Sequence, residues 1–196
     1  MTLVLTVFKI LALILASFVF WRNLKEDYSN EEIFSLSILI LIFAFSGGRF
    51  FSFLGAFLGA ILALVLFSKP KKWNSWLVAD ALVFPMLIVG FVFFLPDLPR
   101  LLLIFMVGFL TFKIKKTYRS FAWYKSGKVG FLACFSAIAF FGLFLLLEII
   151  FYKALYWKLL VDFGIITVAA LLLYQRSERN FREDWQSFLK RLKHEQ

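Results

Sequence analysis

The sequence predicts an all-α integral membrane protein of about seven transmembrane helices, with its N-terminus outside and its C-terminus in the cytosol. Three observations carry that reading. Of 196 residues 62% are hydrophobic, with a mean hydropathy of +0.87, against roughly 45–50% apolar content in a soluble domain. The apolar residues fall in runs of about 20, the length that crosses a hydrocarbon core of about 30 Å at 1.5 Å per helical residue. The basic residues fall mostly on one side of the spans these runs define. So large an apolar surplus cannot be hidden in one core and must face lipid, which excludes a water-soluble globule.

Seven runs can be drawn, at residues 2–21, 33–49, 52–67, 76–95, 98–114, 129–152 and 155–175, and each must be helical because lipid offers the backbone no hydrogen bonds. The first has no cationic leader, carries Lys9 within its apolar stretch and is followed by Trp21-Arg22-Asn23 in place of a small-residue cleavage site, so it reads as a retained anchor. The second and third, taken as one helix, would be about 52 Å long. Ser46-Gly47-Gly48-Arg49 interrupts them near the middle, and a tight hairpin is expected there. Residues 1–175 form the transmembrane domain and 176–196 a cytosolic tail. In the tail Phe181, Trp185, Phe188, Leu189 and Leu192 make one helical stripe opposite Arg182, Lys190, Arg191 and Lys193, suited to lying on the inner membrane surface.

The net charge of +10 is a topology signal here. On the seven-span reading one side receives Arg22, Lys25, Lys69, Lys71, Lys72, six cations in residues 113–128 and six in the tail, seventeen in all. The other receives four, Arg49, Arg100, Lys153 and Lys158. The positive-inside rule then puts the C-terminus in the cytosol. Residues 113–128 interleave cations with Tyr118, Phe121, Trp123 and Tyr124, a composition that fits an anionic inner leaflet and its aromatic belt better than RNA. The expected surroundings are a bacterial-type inner membrane and its anionic phospholipid, with no nucleic acid. The single cysteine, Cys134, rules out an internal disulfide framework and any metal site of paired cysteines. No cofactor or metal is expected.

Charges inside spans are costly and are functional candidates by default. Glu148, Lys158, Asp162, Arg49 and Arg100 all fall toward the outer side on this topology, and Asp80 toward the inner. Local pairing of Glu148 with Lys153 or Lys158, and of Asp162 with Lys158, is one expectation. The other is an outer-leaflet pocket in which Arg49 and Arg100 hold a lipid phosphate through forked hydrogen bonds while Glu148 orients them. The only histidine, His194, sits in the tail and can serve no chemistry at that pocket.

Residues 47–90 resemble prolipoprotein diacylglyceryl transferase, the bacterial membrane enzyme that moves diacylglyceryl from phosphatidylglycerol onto the lipobox cysteine of a prolipoprotein. Gly47-Gly48-Arg49 is similar to that family's Gly-Gly-Arg helix ending, and Ser52-Phe53-Leu54-Gly55-Ala56-Phe57-Leu58-Gly59 to its Ser-Phe-His-Gly-Gly-x-x-Gly start. Asp80, Pro85 and Gly90 follow in the family's order, and Gly142 and Glu148 resemble its Gly-x-x-Arg-x-x-x-Glu helix. The resemblance implies a seven-helix fold with phosphatidylglycerol and a lipobox as substrates. It places Arg49 and Glu148 in the catalytic role, Gly47, Gly48, Arg49, Gly55 and Gly59 against lipid, and Asp80, Pro85 and Gly90 as structural; the charge reading of the outer pocket adds Arg100 to the catalytic set and Lys158 to the lipid-binding one. The sequence departs from the family where Leu54 replaces its histidine, Phe144 its arginine, and residues 91–97 its Gly-Arg-x-Gly-Asn signature. Three readings follow. They are a reduced transferase, a phospholipid-binding or assembly protein that lacks the chemistry, and a transporter using Asp80, Glu148 and Asp162. The last is disfavoured because Asp80 and Glu148 lie at opposite ends of their helices and no inverted repeat is visible. Gly55, Gly59 and Ala63 also form a small-xxx-small row, a common means of close helix approach.

Overall fold

A computed structural model of the chain describes residues 2–121, 123–124, 126–152 and 156–179. Six α-helices follow in order, α1 (Thr2–Leu24), α2 (Asn30–Lys71), α3 (Ser75–Phe93), α4 (Leu98–Thr117), α5 (Phe131–Leu147) and α6 (Tyr156–Arg176), and the described residues contain no strand. A 3₁₀ turn, Tyr118–Ser120, follows α4 and a π-helical segment, Glu148–Tyr152, continues α5. Six segments are long and apolar enough to cross a membrane: Leu5–Leu24, Asn30–Phe50, Leu54–Lys71, Ser75–Phe93, Phe131–Phe151 and Lys158–Arg176. With the composition, these make the chain a helical multi-pass membrane protein. The run at 98–114 does form a helix, α4, but its uninterrupted uncharged stretch is the twelve residues 101–112 between Arg100 and Lys113, about 18 Å of rise.

The chain divides into two compact units, Met1–Gly108 and Phe109–Gln196, with the boundary inside α4. In the first, α2 is helical over 42 residues, which as a straight rod would measure about 63 Å. It is not straight. Lys71 Nζ lies 2.8 Å from Glu32 Oε1, and a Cβ built on Gly47 would fall 2.8 Å from the carbonyl carbon of Gly55. One on Gly59 would fall 2.7 Å from that of Phe43. The arms 30–50 and 54–71 therefore run antiparallel and meet main chain to main chain, which only residues without a Cβ allow. The expected fold-back is present but not at Ser46–Arg49, which are helical in the first arm; the pairing of Gly47 with Gly55 and of Phe43 with Gly59 centres the reversal a few residues later.

The open end of this hairpin is held by polar contacts. Ser29 caps α2: its Oγ accepts from the Glu32 amide at 3.4 Å and donates to Glu32 Oε2 at 3.1 Å, a capping box that also leaves Oε1 for Lys71. The second arm ends at Lys72 in a left-handed conformation, φ 56°, with the Trp73 amide bonded to the Ser68 carbonyl at 3.0 Å. Tyr28 stacks on Trp73 at 3.7 Å, and its hydroxyl accepts from the Asn74 amide at 3.1 Å. Asn74 in turn caps α3 through Trp76 and Leu77. Against this frame α1 buries one residue in four, Ala12, Ala16, Phe20 and Leu24, and the Asn23 amide donates to the Ala81 carbonyl of α3 at 3.2 Å. Ile33, Leu36, Ile40, Ala60, Ala63, Leu64, Val78, Ala81 and Leu82 complete the core.

In the second unit α5 and α6 form an antiparallel hairpin. The chain enters α5 through Gly127 (φ 58°) and Gly130 (φ 100°), conformations that cost a side-chain-bearing residue strain. Ser126 Oγ donates to the Arg176 carbonyl, Arg176 Nε donates to the Val129 carbonyl at 2.7 Å, and Lys128 pairs with Glu178, so this end is pinned by backbone and charge together. The aromatics of 118–124 do not all face outward as an interfacial belt would. Tyr118 and Tyr124 are buried around Phe131, with ring centroids 5.0 and 4.8 Å away, and the Tyr124 hydroxyl donates to the Lys128 carbonyl at 2.8 Å. Trp123 alone of these four is well exposed among the hydrophobics, at 42%. Tail residues 180–196, including the amphipathic stripe and His194, lie outside the described residues.

The glycine contacts generate a prediction. Gly59→Ala should lower stability by about 1–3 kcal/mol because its methyl group meets the Phe43 main chain, which cannot yield as a side chain can. Gly142→Ala, with nothing within 4 Å of the added carbon, should be neutral or slightly stabilising. Thermal unfolding of both variants in detergent checks the contrast.

Candidate functional site

The buried charge of the second unit gathers where α5 ends. Residues 131–147 are entirely uncharged, so Glu148 is the first charged side chain after seventeen helical positions, and it opens the π-helical segment Glu148–Tyr152. A π turn takes an extra residue into each turn and displaces side chains from the regular helical row; such turns recur at functional sites. Glu148 is 1% exposed, and its Oε1 accepts from Lys158 Nζ, the ion pair having side-chain exposures of 1% and 32%. The Lys158 ammonium also stands 5.0 Å from the centroid of the Phe144 ring, where the ring face supplements the carboxylate. One helical turn on, Asp162 shares the Lys158 face of α6, is 2% exposed, and lies within electrostatic reach of both Glu148 and Lys158. Of the two partners expected for Glu148, Lys158 takes the bond; Lys153 lies outside the described residues.

The other predicted residues sit in the first unit. Arg49 is exposed at the end of the first arm of α2, beside Phe45 and Phe50, which are 81% and 80% exposed. Arg100 lies in the first turn of α4 and is drawn to Asp97, Nη1 to Oδ2 at 3.3 Å, while Asp97 Oδ1 accepts from the Arg100 amide at 3.3 Å. Its guanidinium also lies 5.7 Å from the Phe94 ring centroid. Gly47, Gly55 and Gly59 are accounted for by the contact between the arms of α2, and a Cβ on Gly48 would touch only the Ala56 methyl, at 3.4 Å. Pro85 and Gly90 are buried within α3, where Asp80 is half-buried. The site residues thus fall into two groups. Glu148, Lys158 and Asp162 are together in the second unit, and Arg49 and Arg100 occupy separate helix ends in the first.

A second set of cations was not singled out by pairing. Lys113 Nζ lies 4.6 Å from the Phe109 ring centroid, and Lys116 Nζ 5.2 Å from that of Phe112, each four residues apart on α4. Both rings are exposed, at 51% and 54%. The repeated i, i+4 spacing of Phe and Lys at the end of an apolar run is the signal that finds them. No family model matches the chain, and no curated protein or solved structure is similar to it.

Removing one partner of a half-buried ion pair leaves an uncompensated buried charge, whereas removing both is better tolerated. Lys158→Met should therefore destabilise the protein by about 3 kcal/mol, and the E148Q/K158M double variant should recover most of that loss. A thermal double-mutant cycle in detergent measures the coupling.

Proposed function

We propose that the chain is a seven-span plasma-membrane protein of the phospholipid-binding or assembly type, which holds anionic phospholipid at its charged helix ends and performs no transfer chemistry of its own. The observation that carries the lipid reading is the pair of lysines laid along exposed phenylalanine rings at the end of α4. Ring and stem face the acyl region while the ammonium reaches the phosphate level. Arg49 between two exposed phenylalanines offers the same arrangement at the turn of α2. Against transfer chemistry stand three features. Glu148 is tied to Lys158, and Leu54 and Phe144 are apolar where a base and a phosphate-binding cation are wanted.

Charge counting supports α4 as a seventh span. If α4 did not cross, the cations would divide fourteen against seven between the two sides, in place of seventeen against four. The larger bias is the one the positive-inside rule favours. With Cys134 replaced by serine, the variants Pro96→Cys and Ser120→Cys should react with an impermeant maleimide from opposite sides of sealed vesicles. Labelling from one side would remove the span.

The transferase reading is kept as the alternative on the ordered match of Gly47-Gly48-Arg49, Gly55 and Gly59 to that family's pattern. Purified protein reconstituted with labelled phosphatidylglycerol and a lipobox peptide should leave the peptide cysteine unmodified, by mass spectrometry, beside an active transferase as positive control. It should copurify anionic phospholipid, and the K113E/K116E variant should retain several-fold less, since each cation near an anionic surface contributes about 1 kcal/mol. Diacylglyceryl on the peptide would reverse the assignment and make Arg49, Glu148 and Arg100 the residues to substitute next.

A further inference from the structure

The charge of the α5–α6 hairpin does not balance. Two carboxylates, Glu148 and Asp162, are 1% and 2% exposed, and one ammonium, Lys158, is bonded to Oε1 of the first. Glu148 Oε2 and Asp162 Oδ2 are both fully enclosed and accept no hydrogen bond. An ionised carboxylate enclosed in apolar surroundings and left without donors carries a penalty of several kcal/mol, and two of them sharing one cation leave a net negative charge that no other described residue offsets.

The charged groups that face this place can be named for each packed element. Helix α5 and its π-helical continuation contribute Glu148 alone. Helix α6 contributes Lys158 and Asp162, and its next cation, Arg176, is engaged at the opposite end of the hairpin with Val129, near Lys128 and Glu178. Lys153, in the connecting turn, lies outside the described residues. Two open oxygens are too few for calcium or magnesium, which take six or more oxygen ligands, and Lys158 repels any second metal cation. A proton needs one oxygen, removes the surplus charge and turns an acceptor into a donor.

We propose that Glu148 and Asp162 form a proton-binding site, in which Asp162 carries one exchangeable proton while Lys158 neutralises Glu148. On release the O–H bond of Asp162 breaks, the proton passes to water and the electron pair stays on the carboxylate. Lys158 is then shared between two anions. Its side chain, 32% exposed, is the open edge of the site. The proposal uses none of Arg49, Lys113 and Lys116, on which the lipid reading rests, and stands or falls separately from that reading.

Infrared spectroscopy of the full-length protein in detergent at pH 7 tests it. A protonated carboxyl stretch is expected in the wild type, sensitive to deuterium oxide, lost on raising the pH, absent from D162N, diminished in E148Q because Lys158 is then free to neutralise Asp162, and retained in D80N. D162N, which replaces a neutral acid by a neutral amide, should keep the wild-type Tm within about 2 °C. No such band in the wild type at pH 7, a band that survives in D162N, or a D162N Tm raised by more than about 5 °C would each mean that Asp162 is ionised or that the proton lies elsewhere, and would overturn the proposal. Should D162N fail to fold, the wild-type band and its pH dependence still decide.

Discussion

Contact between two stretches of main chain holds the first unit together. Lipid tails are as apolar as leucine, so helices in a bilayer gain little from hiding hydrophobic surface against one another; they associate through close packing and polar bonds. The arms of α2 obtain the packing where Gly47 meets Gly55 and Gly59 meets Phe43, and they obtain the bonds at their open end, from Ser29, Glu32 and Lys71. Once the arms are fixed, Tyr28 and Asn74 tie the loops on either side of α2 to each other, and α1 and α3 have a surface on which to settle. Each later contact in the unit presupposes the fold-back.

The second unit solves the same problem with side chains. The α5–α6 hairpin is pinned at one end by Arg176, Ser126 and the Lys128–Glu178 pair, and at the other by Glu148 and Lys158. Among its described residues α6 buries only Asp162, Ala169 and Leu173, and the others are half-buried or exposed. A helix with so slender a contact face depends on its ends. That gives the ion pair a structural part to play whatever else it does, and it explains why Lys158 serves Glu148 in place of reaching for a headgroup.

Much of this was legible in the sequence because bilayer physics leaves few options. Run length located the helices, and the excess length of residues 33–67 required a fold-back, since no single helix of that length fits; Gly47 and Gly48 marked the neighbourhood but serve the contact between the arms, and the reversal lies just beyond them. A lysine partner for Glu148 was legible because an unpaired buried carboxylate is too costly to keep, but the sequence left Lys153 and Lys158 equally open. The signal for the capping box, Ser29 followed by Glu32, was also present. Other features were hidden for a physical reason. Composition cannot tell an aromatic that faces lipid from one that packs on another ring, so Tyr118 and Tyr124 read as interfacial until Phe131 is seen between them. A π turn leaves no mark on hydrophobic periodicity when every neighbour is apolar, as around residues 145–151. The stacking of Tyr28 on Trp73 joins loops 45 residues apart, beyond the reach of any local pattern.

The brevity of the α2 turn bears on how the protein is made. The arms reverse between Gly47 and Gly55, whose main chains touch, a connection too short for the first arm to cross and wait while a loop is exported. The arms must enter the bilayer together, as a preformed wedge with Arg49 the one charge near its leading edge. A substitution that keeps the arms apart would then act at insertion, before there is a mature protein to be unstable.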